Sequence, residues 1–301
     1  MNLKIVSNSK IKQIFLISLL FVPFIANAQE KEIVAYFPEW RSKGDHPYYV
    51  KDIEKRNSAD KITVLNYAFI IPEPDSDGNI LPAFMDSNIA YQQIYSSEMS
   101  VDGIADDSTQ FLRGQFNQLR KLKQRHPLLK IVISIGGWEG SKYFSDAALT
   151  PESREFFVNA CIDRFIYGNL PEVKGAGGKG VAIGIFDGFD IDWEYPVNGG
   201  IDSIHHNPDD NNNLSRLFAL FRDKLDLINP DYILTAGVPP TEKYGKYFNI
   251  YNDQQYLDWY NLMTYDYRGG WDSITGHNSN LLTSIVDTTF DRERNSFDKT
   301  V

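Results

Sequence analysis

Phe186-Asp187-Gly188-Phe189-Asp190-Ile191-Asp192-Trp193-Glu194-Tyr195-Pro196 interleaves four carboxylates with aromatic and aliphatic residues. Successive side chains of a strand point to opposite faces. Asp190, Asp192 and Glu194 therefore share one face, and Phe189, Ile191 and Trp193 share the other. Carboxylates crowded on one face disfavour each other's ionised forms and cost stability. Such a ladder persists where protons, a cation or a substrate require it. The stretch thus predicts a strand that carries chemistry.

Other apolar runs lie on either side: Ile33 to Phe37, Ile62 to Ile70, Ile131 to Ile135, Tyr232 to Val238, and Tyr260 to Asp266. Most are continuous rather than alternating, the mark of parallel strands buried on both faces. Pro72 and Pro74 are expected to end the second run. Helical spacing falls between the strands: 111–126, closed by Pro127; 151–165, opened by Pro151 with Thr150 as N-cap; and 214–228. The polar segment 73–110 reads as a long loop, the kind that walls a cleft. Gly175 to Gly180 reads as a surface loop; it lacks the lysine and Ser/Thr of a phosphate-binding loop. Each motif rich in Gly, Trp, Asp or Tyr follows a strand, as at the active end of a (β/α)8 TIM barrel. A doubly wound sheet competes, but its nucleotide-binding glycine signature is missing.

A formal net charge of -10 argues against nucleic acid or an anionic membrane surface as the main partner. Aromatic residues make up 14% of the chain, enough to supply apolar platforms for sugar rings as well as a core. Lys4, Lys10 and Lys12 precede an apolar stretch from Ile14 to Ala26, and Ala26-Asn27-Ala28 gives a small-x-small cleavage pattern. These features predict a secretory signal over 1–28, cut after Ala28, and a secreted protein with no membrane association afterwards. A membrane anchor is the competing reading, but the run is short for a bilayer. Cys161 is the single cysteine, so an intramolecular disulfide is excluded, and its amphipathic setting predicts a buried thiol.

Asp187-Gly188-Phe189-Asp190-Ile191-Asp192-Trp193-Glu194 resembles the DxxDxDxE signature of the family 18 glycoside hydrolases, the chitinases. Ser134-Ile135-Gly136-Gly137-Trp138 is similar to that family's third-strand motif, and Met263-Thr264-Tyr265-Asp266-Tyr267 to its sixth-strand motif. The resemblance extends over 32–301 and implies a catalytic barrel spanning 29–301. Six strands are counted by Tyr267. The resemblance therefore implies strands one to six of the (β/α)8 barrel, with the last two βα units missing and Ser296 to Val301 resembling entry to the next helix. The eighth-strand tryptophan that floors the family's sugar site has no counterpart.

The resemblance further implies hydrolysis of chitin or N-acetylglucosamine oligosaccharides by a monomer, without a cofactor or metal, through substrate-assisted retention. In that scheme Glu194 protonates the glycosidic oxygen, its pKa raised by Asp192 and Asp190. Asp192 orients the substrate's acetamido group, Tyr265 donates to the acetamido oxygen, and Asp190 shares a proton with Asp192. Tyr36, Ser134, Met263 and Asp266 line the site, and Gly136 and Gly137 let backbone approach. Trp138, Trp271 and Trp40 are candidate sugar platforms, with ordinary packing as the alternative for each. Trp193 faces away and packs between sheet and helices. Three other readings stay open: a divalent-metal site on the carboxylate ladder, with His205-His206 the nearest helper; a non-catalytic carbohydrate-binding relative; and an endo-β-N-acetylglucosaminidase acting on glycoproteins.

Overall fold

The computed structural model describes residues 31–283 and 296–300, so the signal expected over 1–28 lies outside the described residues. The chain divides into two units, Met1–Lys31 and Glu32–Val301, and the second holds the sheet. Its strands are β1 (Val34–Pro38), β2 (Val64–Pro74), β3 (Ile80–Phe84), β4 (Lys130–Gly136), β5 (Leu170–Val173), β6 (Ala176–Gly178), β7 (Gly188–Asp192), β8 (Ile233–Val238) and β9 (Trp259–Leu262). Six of them form one parallel sheet in the order β1-β2-β4-β7-β8-β9. The strands thus follow chain order without reversal, as in a (β/α)8 barrel and unlike a doubly wound sheet, whose order reverses at a switch point.

Helices α1 (Val50–Lys55), α2 (Gly114–Arg125), α3 (Phe144–Ala148), α4 (Pro151–Cys161) and α5 (Asp210–Ile228) fill the crossovers. Phe116, Leu119 and Leu122 of α2 and Leu214, Leu217, Phe218, Phe221 and Leu225 of α5 recur at helical spacing and enter the main core. Thr150 caps α4 as expected: its Oγ1 accepts from Ser153 N–H at 3.1 Å, with Pro151 in the first turn. Such a cap contributes about 1 kcal/mol. Cys161 is buried, and Trp193 stacks on Phe144 of α3 at 5.3 Å, on the outer side of the sheet.

The inner side is curled. Val34, Val64, Val132, Ile233 and Trp259, one each from β1, β2, β4, β8 and β9, meet in a small layer of their own. The first and last strands of the order can share that layer only if the sheet bends back on itself, as layered barrel interiors do.

Two loop expectations are corrected. Segment 73–110 holds β3, a π-turn (Asn88–Gln92) and a 3-10 turn (Ser97–Met99), and β2 runs on through Pro72 and Pro74. In the antiparallel β2–β3 register Pro72 faces Pro82, and Pro74, two residues on, has the same parity. Positions of that parity are non-hydrogen-bonded, so the missing N–H groups leave no ladder bond unmade. The glycine-rich stretch contributes β6, which pairs with β5 as a short hairpin.

Candidate active site

Asp190 is completely buried at the centre of β7, and four side chains from four other strands donate to it. Tyr36 Oη and Ser134 Oγ reach its Oδ2 at 2.8 and 2.7 Å; Thr235 Oγ1 and Asn261 Nδ2 reach Oδ1 at 2.7 and 2.9 Å. These donors come from β1, β4, β8 and β9, so the outermost strands converge on one carboxylate. Four donors fill the acceptor sites of an ionised carboxylate. Three of these four partners are hydroxyls, which can also accept, so the arrangement admits the proton expected to be shared with Asp192. It also relocates Ser134, which is fully buried and holds Asp190 rather than facing a ligand.

Asp192 ends β7 at 6% exposure, and its Oδ1 has no hydrogen-bond partner among the described residues. Burial first, then the Glu194 and Asp190 charges, push its pKa well above the carboxylate range. Glycines make room around it. A Cβ on Gly237 would lie 2.6 Å from Asp192 Oδ1, and one on Gly136 would lie 2.1 Å from Asp192 O. Gly136 also has φ +112°, which favours glycine. Gly137 N–H donates to Asp192 O at 2.8 Å, the close backbone approach expected of this pair.

Glu194 lies two residues past the strand end, 8% exposed, and its pKa is raised to about 7. Burial is the main cause; a hydrogen bond with Tyr195 lowers the value and the Asp266 charge raises it. Asp192 and Asp190 were expected to help raise it, and desolvation stands ahead of any neighbouring charge. Ser141 Oγ accepts from Glu194 N–H at 2.9 Å and lies 3.2 Å from Asp192 O, fixing the turn between the two acids.

A cavity of about 350 Å³ opens beside Asp192, lined by Tyr36, Gly237, Asn261, Met263 and Tyr265 among others. Tyr265 is half-exposed, its pKa raised to about 12 by burial and by the Asp192 and Glu194 charges, so the phenol keeps its proton. Asp266 is exposed and accepts from Asn278 Nδ2 at 2.9 Å. Trp138 is half-exposed and meets Tyr195 edge-on at 6.4 Å, and Tyr195 stacks on Tyr244 at 4.4 Å. Trp40 stacks on Phe69 at 6.1 Å. Trp271 is exposed and folds over Gly269. Asp187 stands apart from this set, accepting from Lys123 Nζ at 2.5 Å and Ile131 N–H at 2.8 Å.

Among the described residues no group of three or more His, Cys, Asp or Glu side chains is arranged to hold a metal ion. His205 pairs with Asp146 at 2.8 Å on the surface. Thr235, Gly237, Asn261, Ser141 and Tyr195 join the site unforeseen. Parity could have found one of them, since Asn261 shares a face with Met263 and Tyr265.

The family model for glycosyl hydrolases family 18 matches residues 32–301. Chitinase A1 of Niallia circulans is 34% identical over 276 residues, 84% of this chain and 36% of that protein. Chitinase C of Streptomyces lividans is 35% identical over 244 residues, 79% of this chain and 35% of that protein. The chain thus spans about a third of the length of these relatives. Among solved structures, the catalytic domain of psychrophilic chitinase B from Arthrobacter TAD20 superposes with a TM-score of 0.83 at 34% identity, covering 89% of this chain and 66% of that one. Ostrinia furnacalis Group IV chitinase in complex with allosamidin gives 0.68 at 26%, covering 90% and 61%.

Proposed function

This chain belongs to family 18 of the glycosyl hydrolases, and from that premise we propose that it hydrolyses the β-1,4 links of chitin or N-acetylglucosamine oligosaccharides with retention. The observation that carries this reading is the orphan Oδ1 of Asp192, a buried acceptor at the wall of a cavity. A buried polar atom without a partner costs about 1–3 kcal/mol, a penalty that a ligand N–H removes. An acetamido group brings that N–H, and its carbonyl oxygen then lies within the same cavity that Tyr265 lines.

Glu194 is the proton donor. Held to about 7 by burial, it keeps its proton near neutral pH and gives it to the glycosidic oxygen. As that bond breaks, the acetamido oxygen attacks the anomeric carbon to form an oxazolinium ion; Asp192, its proton passed to Asp190, holds the acetamido nitrogen and offsets the growing positive charge. Tyr265 donates to the acetamido oxygen. Glu194, now ionised, takes a proton from the water that opens the ring. Asp190 lies beneath them, fixing β7 through its four hydrogen-bond partners. Met263 and Tyr36 shape the sugar pocket, Asp266 tunes Glu194, and Trp138, Trp40 and Trp271 are platforms at its rim.

Residues 1–28 serve as a cleaved export signal, residues 29–301 carry the catalytic domain with strands one to six of the barrel, and the enzyme acts as a secreted monomer. Release of N-acetylglucosamine oligomers from chitin oligosaccharides, measured beside release of glycans from a glycoprotein, tests the activity. Cleavage of the former alone is the expected result. Glycan release alone would make the protein an endo-β-N-acetylglucosaminidase, and binding without cleavage would make it a lectin.

A further inference from the structure

Glu39, the residue after β1, is 2% exposed. Its carboxylate lies between Tyr67 of β2 and the backbone at Asp86, with Gln115 of α2 close by. Gln115 Nε2 is 2.9 Å from the Glu39 carbonyl oxygen and 3.1 Å from Ser42 Oγ. A carbonyl oxygen only accepts, so the amide has one permissible orientation: nitrogen toward Glu39 O, Oε1 toward Tyr67. Tyr67 Oη lies 2.6 Å from that Oε1 and 2.7 Å from Glu39 Oε2. A phenol has one hydrogen and cannot serve two acceptors at these distances. Glu39 Oε1 already accepts from Asp86 N–H at 2.8 Å. One more hydrogen is needed, and Glu39 Oε2 is the atom with a place for it.

We infer that Glu39 is a neutral carboxylic acid in the folded protein, donating to Tyr67, which donates to Gln115, and that this proton positions the turn carrying Trp40. Ser42 Oγ–H donates to Glu39 O at 3.0 Å, so Gln115 grips both ends of the turn Glu39–Ser42. Trp40 projects from it onto Phe69. The Phe69 ring fills the space that a Cβ on Gly137 would need, at 2.6 Å, and Gly137 N–H holds Asp192 O. Two rings and one glycine therefore link Glu39 to the carboxylate ladder.

Loss of the proton turns the Tyr67 hydrogen toward Glu39 and leaves Gln115 Oε1 facing a bare oxygen. The turn then loses its anchor. The titratable and charged groups facing Glu39 are Tyr67 from β2, Asp86 after β3, and Lys43 just past the turn, with Tyr95 facing Tyr67. Lys43 is already paired with Asp86 at 2.7 Å. Burial, the largest influence, lifts Glu39 to about 7, which is consistent with a neutral acid over the mildly acid range. The proton assignment stands on the fold alone; only the contact of Trp40 with sugar rests on the chitinase reading.

Infrared difference spectra of the whole chain, wild type minus E39Q at about pH 6, test the assignment at a pH where an ordinary glutamate is ionised. The expected result is a carboxylic-acid C=O band, shifted in Y67F because the acid has lost its acceptor. A carboxylate band in its place overturns the inference. E39Q mimics the neutral acid, its Nε2 donating to Tyr67 and its Oε1 accepting from Asp86. Amide exchange of residues 39–43 tests the positioning: equal protection in wild type and E39Q at about pH 5, lower protection in wild type at about pH 8. Equal protection at both overturns it, and neither measurement depends on catalysis.

Discussion

Asp190→Asn replaces one carboxylate oxygen by an amide nitrogen and leaves the shape of the core unchanged. Asn261 cannot adjust, because its Oδ1 accepts from Trp259 Nε1 at 3.1 Å and so its Nδ2 stays aimed at residue 190. The new amide must therefore present its oxygen to Thr235 and Asn261 and its nitrogen to Tyr36 and Ser134. Those two are hydroxyls and can rotate to accept. All four hydrogen bonds survive in geometry but lose their charge assistance. A bond to a charged group contributes roughly 1 kcal/mol more than a neutral one, so the gross loss is about 4 kcal/mol. Removing a buried charge that opposes ionisation of Asp192 returns part of this. A net destabilisation of about 2–3 kcal/mol remains, or roughly 5–10 °C in Tm for a domain of this size. Denaturant unfolding at neutral pH measures it directly. A change within about 0.5 kcal/mol, the range of an ordinary surface substitution, would refute the view that Asp190 is ionised and fourfold bonded.

Glu194→Gln should lower turnover of N-acetylglucosamine oligomers by roughly 10²–10⁴-fold, the usual contribution of a general acid, with binding by calorimetry retained; unchanged turnover would remove Glu194 from the role. In the proposed role its protonated form is the active one, so the wild-type rate should fall as pH rises through about 7. The same group links to stability: its folded pKa lies above the ordinary 4.5, so its contribution is complete below 4.5 and lost as pH rises through about 7. Melts at about pH 5 and about pH 8 should therefore differ less in E194Q than in wild type. Tyr265→Phe should reduce turnover with little change in melting temperature, since the phenol faces the cavity; full activity would exclude it. Gly237→Ala sets a methyl 2.6 Å from Asp192 Oδ1 and should cost activity out of proportion to stability; a fully active variant would show that Asp192 can move freely.

Most of the six parallel strands were legible as continuous apolar runs, and β7 with its acids was legible by parity. What the chain did not announce is contact between strands distant in sequence. Tyr36 and Asn261 reach Asp190 only because the sheet curls, whereas Thr235 stands beside it in register, and nothing local to residues 36 or 261 records that curl. Ser134 looked like a site residue from its motif, yet the β4–β7 register sets it beside Asp190, fully buried. The β2–β3 hairpin was hidden by its prolines, which read as terminators until the register puts Pro72 opposite Pro82. Burial, too, is a property of the assembled fold. The main influence on Glu194 is therefore invisible beside its neighbouring acids in the sequence.

Asp187 gives the acidic run a second significance, in the time course of folding. Its side chain joins residues 56 and 64 positions earlier, its N–H donates to Ile131 O, and its own carbonyl accepts from Ile233 N–H. Contacts of such separation are slow to form, since loop-closure entropy is lost before the contacts offset it. A chain that closes at Asp187 has set β4, β7 and β8 in register and docked α2 in the same event. The cost of substituting it should accordingly fall on the refolding limb of a chevron rather than on the unfolding limb. The first acid of the run thus ties three strands and a helix together, apart from the chemistry proposed for the later ones.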